Sequence, residues 1–181
     1  MALSFASGLP LGLVLKAIPF WLQQQGLDIR TIGLITAAQA PYAFKFLWSP
    51  LMDHFAPSGA RKRSWIAAGQ FALLLTTALL CLMADRPSAY AVGVLTLFIS
   101  LASATQDIAI DAYAVEALRP EEQGLAVGAR IALYRAAMFV GGALVVSLGP
   151  VLGWRAVFGA LAATYGLFLV VTAWAPEPPV P

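Results

Sequence analysis

The residues of this sequence that could do chemistry are ionisable side chains placed within long apolar runs. Asp107 and Asp111 are four positions apart in one such run, so a helix would put them on one face. Lys45 and Arg130 lie in two other runs. A charge at the centre of a bilayer costs at least about 2.5–3.5 kcal/mol, so such residues usually face a bundle interior or a water-filled cavity. The pattern indicates charged side chains that face the interior of a membrane protein rather than lipid.

Three of these side chains lie at comparable depth. Lys45, Asp107 and Arg130 are each about eight residues from the cytoplasmic end of their run, in the orientation derived below, at about 1.5 Å per residue. We therefore predict that they form one buried charge network. Two interpretations stay open: a static ion-pair cluster that joins helices, or the polar lining of a substrate path in which a carboxylate gains and loses a proton.

Several other kinds of site are not predicted. The single histidine, His54, has no evident nucleophile partner, and no glycine-rich phosphate loop follows a strand, so the chain is not expected to be an enzyme. One cysteine, Cys81, excludes a Cys-rich metal site, and we expect neither a metal nor a cofactor. The net charge of +2 comes from few, scattered residues, which argues against binding to nucleic acid.

The elements that must position these charges are membrane-spanning helices. The chain is 60% hydrophobic and 11% charged, against about 25% charged in soluble domains, so lipid must be part of its solvent. A helix crosses the bilayer with about 20 apolar residues. The sequence therefore predicts an all-α, polytopic protein with one domain, residues 1–175, and a linker at 176–181. The six predicted spans are Ala2–Leu22, Ile32–Met52, Trp65–Met83, Tyr90–Ala114, Leu125–Leu148 and Trp154–Trp174.

The distribution of basic residues predicts the orientation. Six crossings put both termini on one side, and cytoplasmic loops carry the excess of Lys and Arg. With the N-terminus inside, the inner loops hold the run at residues 61–63 and Arg119, whereas the outer loops hold Arg30, Arg86 and Arg155. Both termini are therefore predicted to be cytoplasmic.

At this point several motifs resemble a known family. The segments at residues 5–11, 44–53 and 106–112 are similar to the first, second and fourth helices of the AmpG-type muropeptide permeases, a branch of the major facilitator superfamily. Tyr134 and Arg135 in the fifth span and Pro176-Glu177 at the end are also similar. The resemblance covers nearly the whole chain.

The resemblance implies a fold, an activity and a location. It implies a half bundle of six helices from a twelve-helix transporter of the bacterial inner membrane. The implied activity is import of anhydro-muropeptides for cell-wall recycling, driven by the proton gradient. The implied partners are membrane lipid, a small solute and a second six-helix half, either a C-terminal half or another copy. The substrate and proton path would comprise Lys16, Gln39, Lys45, Gln106, Asp107, Asp111, Arg130 and Arg135.

The loop between the second and third spans has two interpretations. The basic run could be a plain cytoplasmic anchor. The resemblance implies instead that the loop latches the cytoplasmic gate of the transporter. The residues of this gating loop would be Asp53, Gly59, Arg61, Lys62 and Arg63.

Two alternative functions remain open. The same resemblance extends to transporters of acetyl-coenzyme A or other small solutes. The chain could also be a six-helix membrane scaffold, or a truncated fragment, that does not transport.

Overall fold

The computed structural model describes residues 2–50, 61–117 and 123–174. All regular elements in these ranges are helices, which confirms the all-α class. The π-helical turns π1 (Leu13–Ala17) and π2 (Val140–Leu144) each connect two α-helices, and a 3₁₀ turn (Lys45–Leu47) follows a third. The α-helices are α1 (Ala2–Gly12), α2 (Ile18–Gln24), α3 (Ile29–Ala37), α4 (Ala40–Phe44), α5 (Arg61–Leu82), α6 (Ala89–Ala117), α7 (Gln123–Phe139), α8 (Val145–Leu152) and α9 (Trp154–Trp174).

Five helical stretches of the described part of the chain are long and apolar enough to cross a membrane. They correspond to the first, third, fourth, fifth and sixth predicted spans. Such lengths of apolar helix make the chain a multi-pass membrane protein. The bounds of the five helical stretches are Ala2–Gln24, Arg63–Leu82, Ala89–Ala114, Gly124–Leu152 and Trp154–Trp174.

The second predicted span, Ile32–Met52, is not one unbroken helix. It is divided into α3, α4 and the 3₁₀ turn, and its last two residues lie outside the described ranges. Pro41 has no N–H to donate to the carbonyl of Ala37, so the α-helical ladder cannot continue there. The amides of Ala38 and Gln39 instead bond three residues back. A count of apolar residues could not detect this break, and the described residues contain five spans rather than six.

The fifth span extends beyond its predicted end at Leu148. The helix continues through Gly149 and Pro150 to Leu152, where Gly153 adopts a positive φ of +87°. Glycine takes this left-handed conformation without steric cost, so the chain can reverse there and begin α9 at Trp154. The predicted linker at 176–181 lies outside the described residues.

Two sets of helices pack together around the core. α5 packs between α6 and α9, and α1 packs along α7 and π2. A β-carbon on Gly8 would overlap the carbonyl oxygen of Tyr134, and one on Gly12 would overlap that of Met138. α1 and α7 therefore approach with their backbones in contact, which is possible because glycine has no side chain.

We expect Gly12→Ala to destabilise the bundle. Its β-carbon would meet backbone atoms of Met138 and Gly142, which cannot rotate away. Overpacking of this kind costs about 1–3 kcal/mol. Thermal unfolding in detergent should show a lower melting temperature than the wild type. Gly33→Ala is the matched control, because a β-carbon there meets nothing within 4 Å; equal melting temperatures for the two variants would contradict the close approach.

Candidate functional site

Asp107 on α6 is the centre of a polar cluster between four helical elements. It is only 5% exposed. Ser7 on α1 donates its hydroxyl to Oδ1 at 2.5 Å, and Nζ of Lys45, on the 3₁₀ turn, lies 2.5 Å from Oδ2. Nη2 of Arg130, on α7, lies 3.8 Å from Oδ1. The predicted contact of Lys45, Asp107 and Arg130 is therefore confirmed.

Arg130 connects the two acidic residues of α6. Its guanidinium forms an ion pair with Asp111 as well as with Asp107. The four-residue spacing of the two aspartates places both carboxylates toward α7, as the helical period requires. The cluster thus contains two cations, Lys45 and Arg130, and two carboxylates, so its formal charges balance.

A second polar contact lies next to the cluster. Tyr42 on α4 and Ser103 on α6 share a hydrogen bond through their hydroxyl groups. Tyr42 is three residues before Lys45, and Ser103 is four residues before Asp107, so this bond lies about one helical turn from the ion pair. The segment that breaks the second predicted span is thereby fixed to α6 at two positions.

Sequence reasoning missed Ser7, Tyr42 and Ser103 as members of this site. Ser103 could have been found from its four-residue spacing to Asp107. Ser7 could have been found from its level, because it is about as far from the start of the first span as Asp107 is from the end of the fourth, and these two ends meet where Ser7 contacts Asp107. The sequence carries no signal of equal strength for Tyr42.

The cluster forms part of the wall of an open cavity of about 750 Å³. This volume lies within the range of about 300–1,000 Å³ that is typical of small-molecule sites. The wall combines charged side chains with apolar side chains of α7. The lining residues are Lys45, Asp107, Val127, Arg130, Ile131, Tyr134, Arg135 and Met138.

Four predicted residues lie outside this lining: Lys16, Gln39, Gln106 and Asp111. Lys16, on π1, lines a second cavity of about 450 Å³ together with Phe20 and Gln23. Gln39 lies in the turn between α3 and α4. Gln106 is completely buried and packs against Gly69 of α5, and neither of its amide atoms has a hydrogen-bond partner among the described residues.

Most of the predicted gating loop lies outside the described residues. Asp53 and Gly59 belong to the range 51–60, and the side chains of Arg61 and Lys62 are not described. Arg63 lies in the first turn of α5. The gating role therefore stays a prediction. In the three described ranges, no group of three or more His, Cys, Asp or Glu residues could hold a metal ion.

We expect Ser7→Ala to weaken the fold through Asp107. A hydrogen bond to a charged group contributes about 1.5–3 kcal/mol, and the buried carboxylate would lose one of its three partners. The free energy of unfolding should fall by about that amount. Ser147→Ala is the matched control, since the exposed hydroxyl of Ser147 bonds only to the carbonyl of Ala143; equal losses in the two variants would refute a specific role for Ser7.

Comparisons with known proteins identify the family of this chain. The family model for the Major Facilitator Superfamily matches residues 1–181. The anhydromuropeptide permease of Escherichia coli K12 is 36% identical over 187 residues, covering 100% of this chain and 38% of the relative. An uncharacterized protein of Haemophilus influenzae is 38% identical over 170 residues, covering 92% and 40%. A putative transporter, AmpG 4 of Rickettsia conorii, is 30% identical over 178 residues, covering 94% and 42%. The chain spans about two fifths of the length of these relatives.

Proposed function

Because this chain belongs to the major facilitator superfamily, we propose that it is the N-terminal half of a transporter that imports anhydro-muropeptides into the bacterial cytoplasm. The protein would be located in the inner membrane, with both termini in the cytoplasm. Residues 29–50 would belong to the second of six membrane crossings. The names of the relatives, a permease and a putative transporter, support a transporter rather than an enzyme.

One observation carries this proposal: a cavity lined by a charge network inside membrane-spanning helices. Asp107 and Arg130 belong to two different spans, and Lys45 reaches them from a third segment. Charges are expensive at this depth unless they serve a pathway or hold one another. A network that only held helices together would not require a cavity of about 750 Å³ beside it. The two features together favour a lined substrate path over a static cluster.

The proposal includes a second six-helix half. In transporters of this kind the substrate site lies between two halves that rock about it near the bilayer midplane. The cavity beside Asp107 is open in this chain, and the chain covers 38–42% of its relatives. A second half, in the same polypeptide or in another copy, would supply the opposite wall.

Proton coupling would act through Asp107. Lys45 contacts Oδ2, and a proton that binds at Oδ2 neutralises the carboxylate and removes the attraction for the ammonium group. Lys45 and the 3₁₀ turn that carries it would then be free to separate from α6. Loss of the proton to the cytoplasm would restore the ion pair. The proton gradient would supply the energy, and no cofactor would be required. The residues of the range 53–63 would act as the cytoplasmic latch.

Uptake measurements with the assembled transporter, meaning this chain with its second half, would test the proposal. Proteoliposomes with an imposed proton gradient should accumulate labelled anhydro-muropeptide, and an uncoupler should abolish accumulation. Accumulation of labelled acetyl-coenzyme A in place of the muropeptide would favour the alternative substrate. Binding and transport of neither compound would favour the scaffold alternative.

A further inference from the structure

Two cations of the membrane-spanning helices lie outside the balanced network. The ion pairs between described residues are Lys45–Asp107, Arg130–Asp107, Arg130–Asp111 and Arg155–Asp85. Within these ranges Lys16 and Arg135 form none. Both belong to spans of high hydropathy, Ala2–Gln24 and Gly124–Leu152. Their charges therefore have no compensating carboxylate in the part of the chain that the structure describes.

The two cations lie at similar depth. Arg135 is about 11 residues after the start of its span, and Lys16 is about 14 residues after the start of its own. At about 1.5 Å per residue they are about 17 Å and about 21 Å from the inner ends of the helices. The hydrocarbon core is about 30 Å thick, so both lie near the midplane of the membrane. Asp107 and Arg130 lie closer to the cytoplasmic side.

The two cations line neighbouring cavities, and the π-helical turns π1 and π2 are in contact between them. Arg135 and Met138 line the larger cavity, and Gly142 follows them one helical turn farther along the same face. The stem of Lys16 lies directly over Gly142, where an added β-carbon would be 3.3 Å from Cβ and from Cγ of Lys16. A β-carbon at position 142 would require the stem of Lys16 to shift by a few tenths of an ångström. The glycine therefore lets Lys16 lie beside the face that carries Arg135.

We propose that Arg135 and Lys16 form an anion subsite that binds a carboxylate of the transported solute. This proposal rests on the proposed function, because it names the charge of the compound that enters the same cavity. The two cavities are lined by four cations, Lys16, Lys45, Arg130 and Arg135, and by one carboxylate, that of Asp107, and Asp111 pairs with Arg130 from outside the lining. This leaves an excess of two positive charges within apolar spans, which attracts an anion. Arginine pairs with a carboxylate through two parallel hydrogen bonds. The peptide of a muropeptide ends in such a group.

Uptake of two matched solutes tests the subsite. One is an anhydro-muropeptide with free carboxylates, and the other is the same compound with its carboxylates amidated. The assembled transporter should take up the free acid with a KM about tenfold lower, as expected for one charged hydrogen-bonded contact. Arg135→Gln and Lys16→Gln should each raise the KM of the free acid by about tenfold, and each should change the KM of the amide much less. Arg135→Lys should keep part of the preference.

Arg155→Gln is the matched control. It removes a positive charge from an exposed pair with Asp85, outside the cavity. Its kinetics should equal those of the wild type for both solutes. Equal loss of both solutes in Arg135→Gln and Lys16→Gln would overturn the subsite, because a lost carboxylate contact should affect the amide much less.

Thermal unfolding without substrate provides a readout that does not depend on transport. If Arg135 is uncompensated in the empty protein, Arg135→Gln should leave the melting temperature unchanged or raise it. A clear decrease would show that Arg135 has a structural partner in the protein and would overturn the proposal.

A binding measurement separates the subsite from the proposed function. If the wild type takes up neither muropeptide, the muropeptide function fails. The purified transporter is then heated with an N-acetylated tripeptide that has free carboxyl groups, or with its amide. If the acid alone raised the melting temperature, and Arg135→Gln lost this effect, the result would support the subsite for another anionic solute. If the two peptides raised the melting temperature equally, or if neither raised it, the subsite would be overturned.

Discussion

Asp107→Asn in the assembled transporter is expected to abolish proton-driven accumulation of solute. The amide has nearly the shape of the carboxylate but cannot bind and release a proton. A carrier that cannot move a proton cannot use the proton gradient, so the solute should only equilibrate across the membrane and accumulation above the external concentration should be lost. The measurement is uptake of labelled anhydro-muropeptide into proteoliposomes with an imposed proton gradient.

Solute exchange distinguishes a coupling defect from a folding defect. When labelled and unlabelled solute are present on both sides at equal pH, exchange requires no net proton movement. Asp107→Asn should retain exchange while losing accumulation, and Asp85→Asn, at the 71% exposed partner of Arg155, should retain both. If Asp107→Asn accumulated solute to the level of the wild type, and an uncoupler still abolished this accumulation, Asp107 would not be the proton carrier.

Arg130→Met is expected to destabilise the protein by disturbing the charge balance of the cluster. It leaves the carboxylates of Asp107 and Asp111, one helical turn apart on α6, with only Lys45 as a cationic partner. Removing one partner of a buried pair costs about 3–5 kcal/mol. Because Arg130 is 24% exposed and Asp111 is 44% exposed, we expect a loss of about 2–3 kcal/mol, which thermal or chemical unfolding in detergent would measure.

A double variant tests the cause of that loss. Arg130→Met with Asp111→Asn restores one cation for one carboxylate, so it should recover a large part of the stability. Arg155→Met is the control for the simple loss of an arginine, because its pair with Asp85 is exposed and should cost less than about 1 kcal/mol. If the double variant were no more stable than Arg130→Met alone, charge balance would not be what Arg130 contributes.

The level of a residue along its span could be predicted from the sequence, and this level located most of the cluster. The position of a residue along a helix follows from its distance to the end of the span. That reasoning put Lys45, Asp107 and Arg130 at one level, and the ion pairs confirm it. The spacing of Asp107 and Asp111 likewise predicted a shared face.

Rotation about the helix axis could not be predicted in the same way. Gln106 is adjacent to Asp107 in sequence, yet it packs against Gly69 of α5, while Asp107 lines the cavity. Adjacent residues on a helix point about 100° apart, so the neighbours of α6 decide which one faces the cavity. Lys16 shows the same effect, because its place over Gly142 depends on how π1 packs against π2.

By itself, the sequence determined the solvent, the helical class and the shared level of Lys45, Asp107 and Arg130, since each depends on composition or on distance along one segment. The tertiary structure alone decided the break at Pro41, the recruitment of Ser7 and Tyr42, and the separation of the unpaired cations from the balanced cluster. These features depend on which faces of different helices meet. Contact between faces is set by packing across the bundle, where residues about 100 positions apart, such as Ser7 and Asp107, become neighbours.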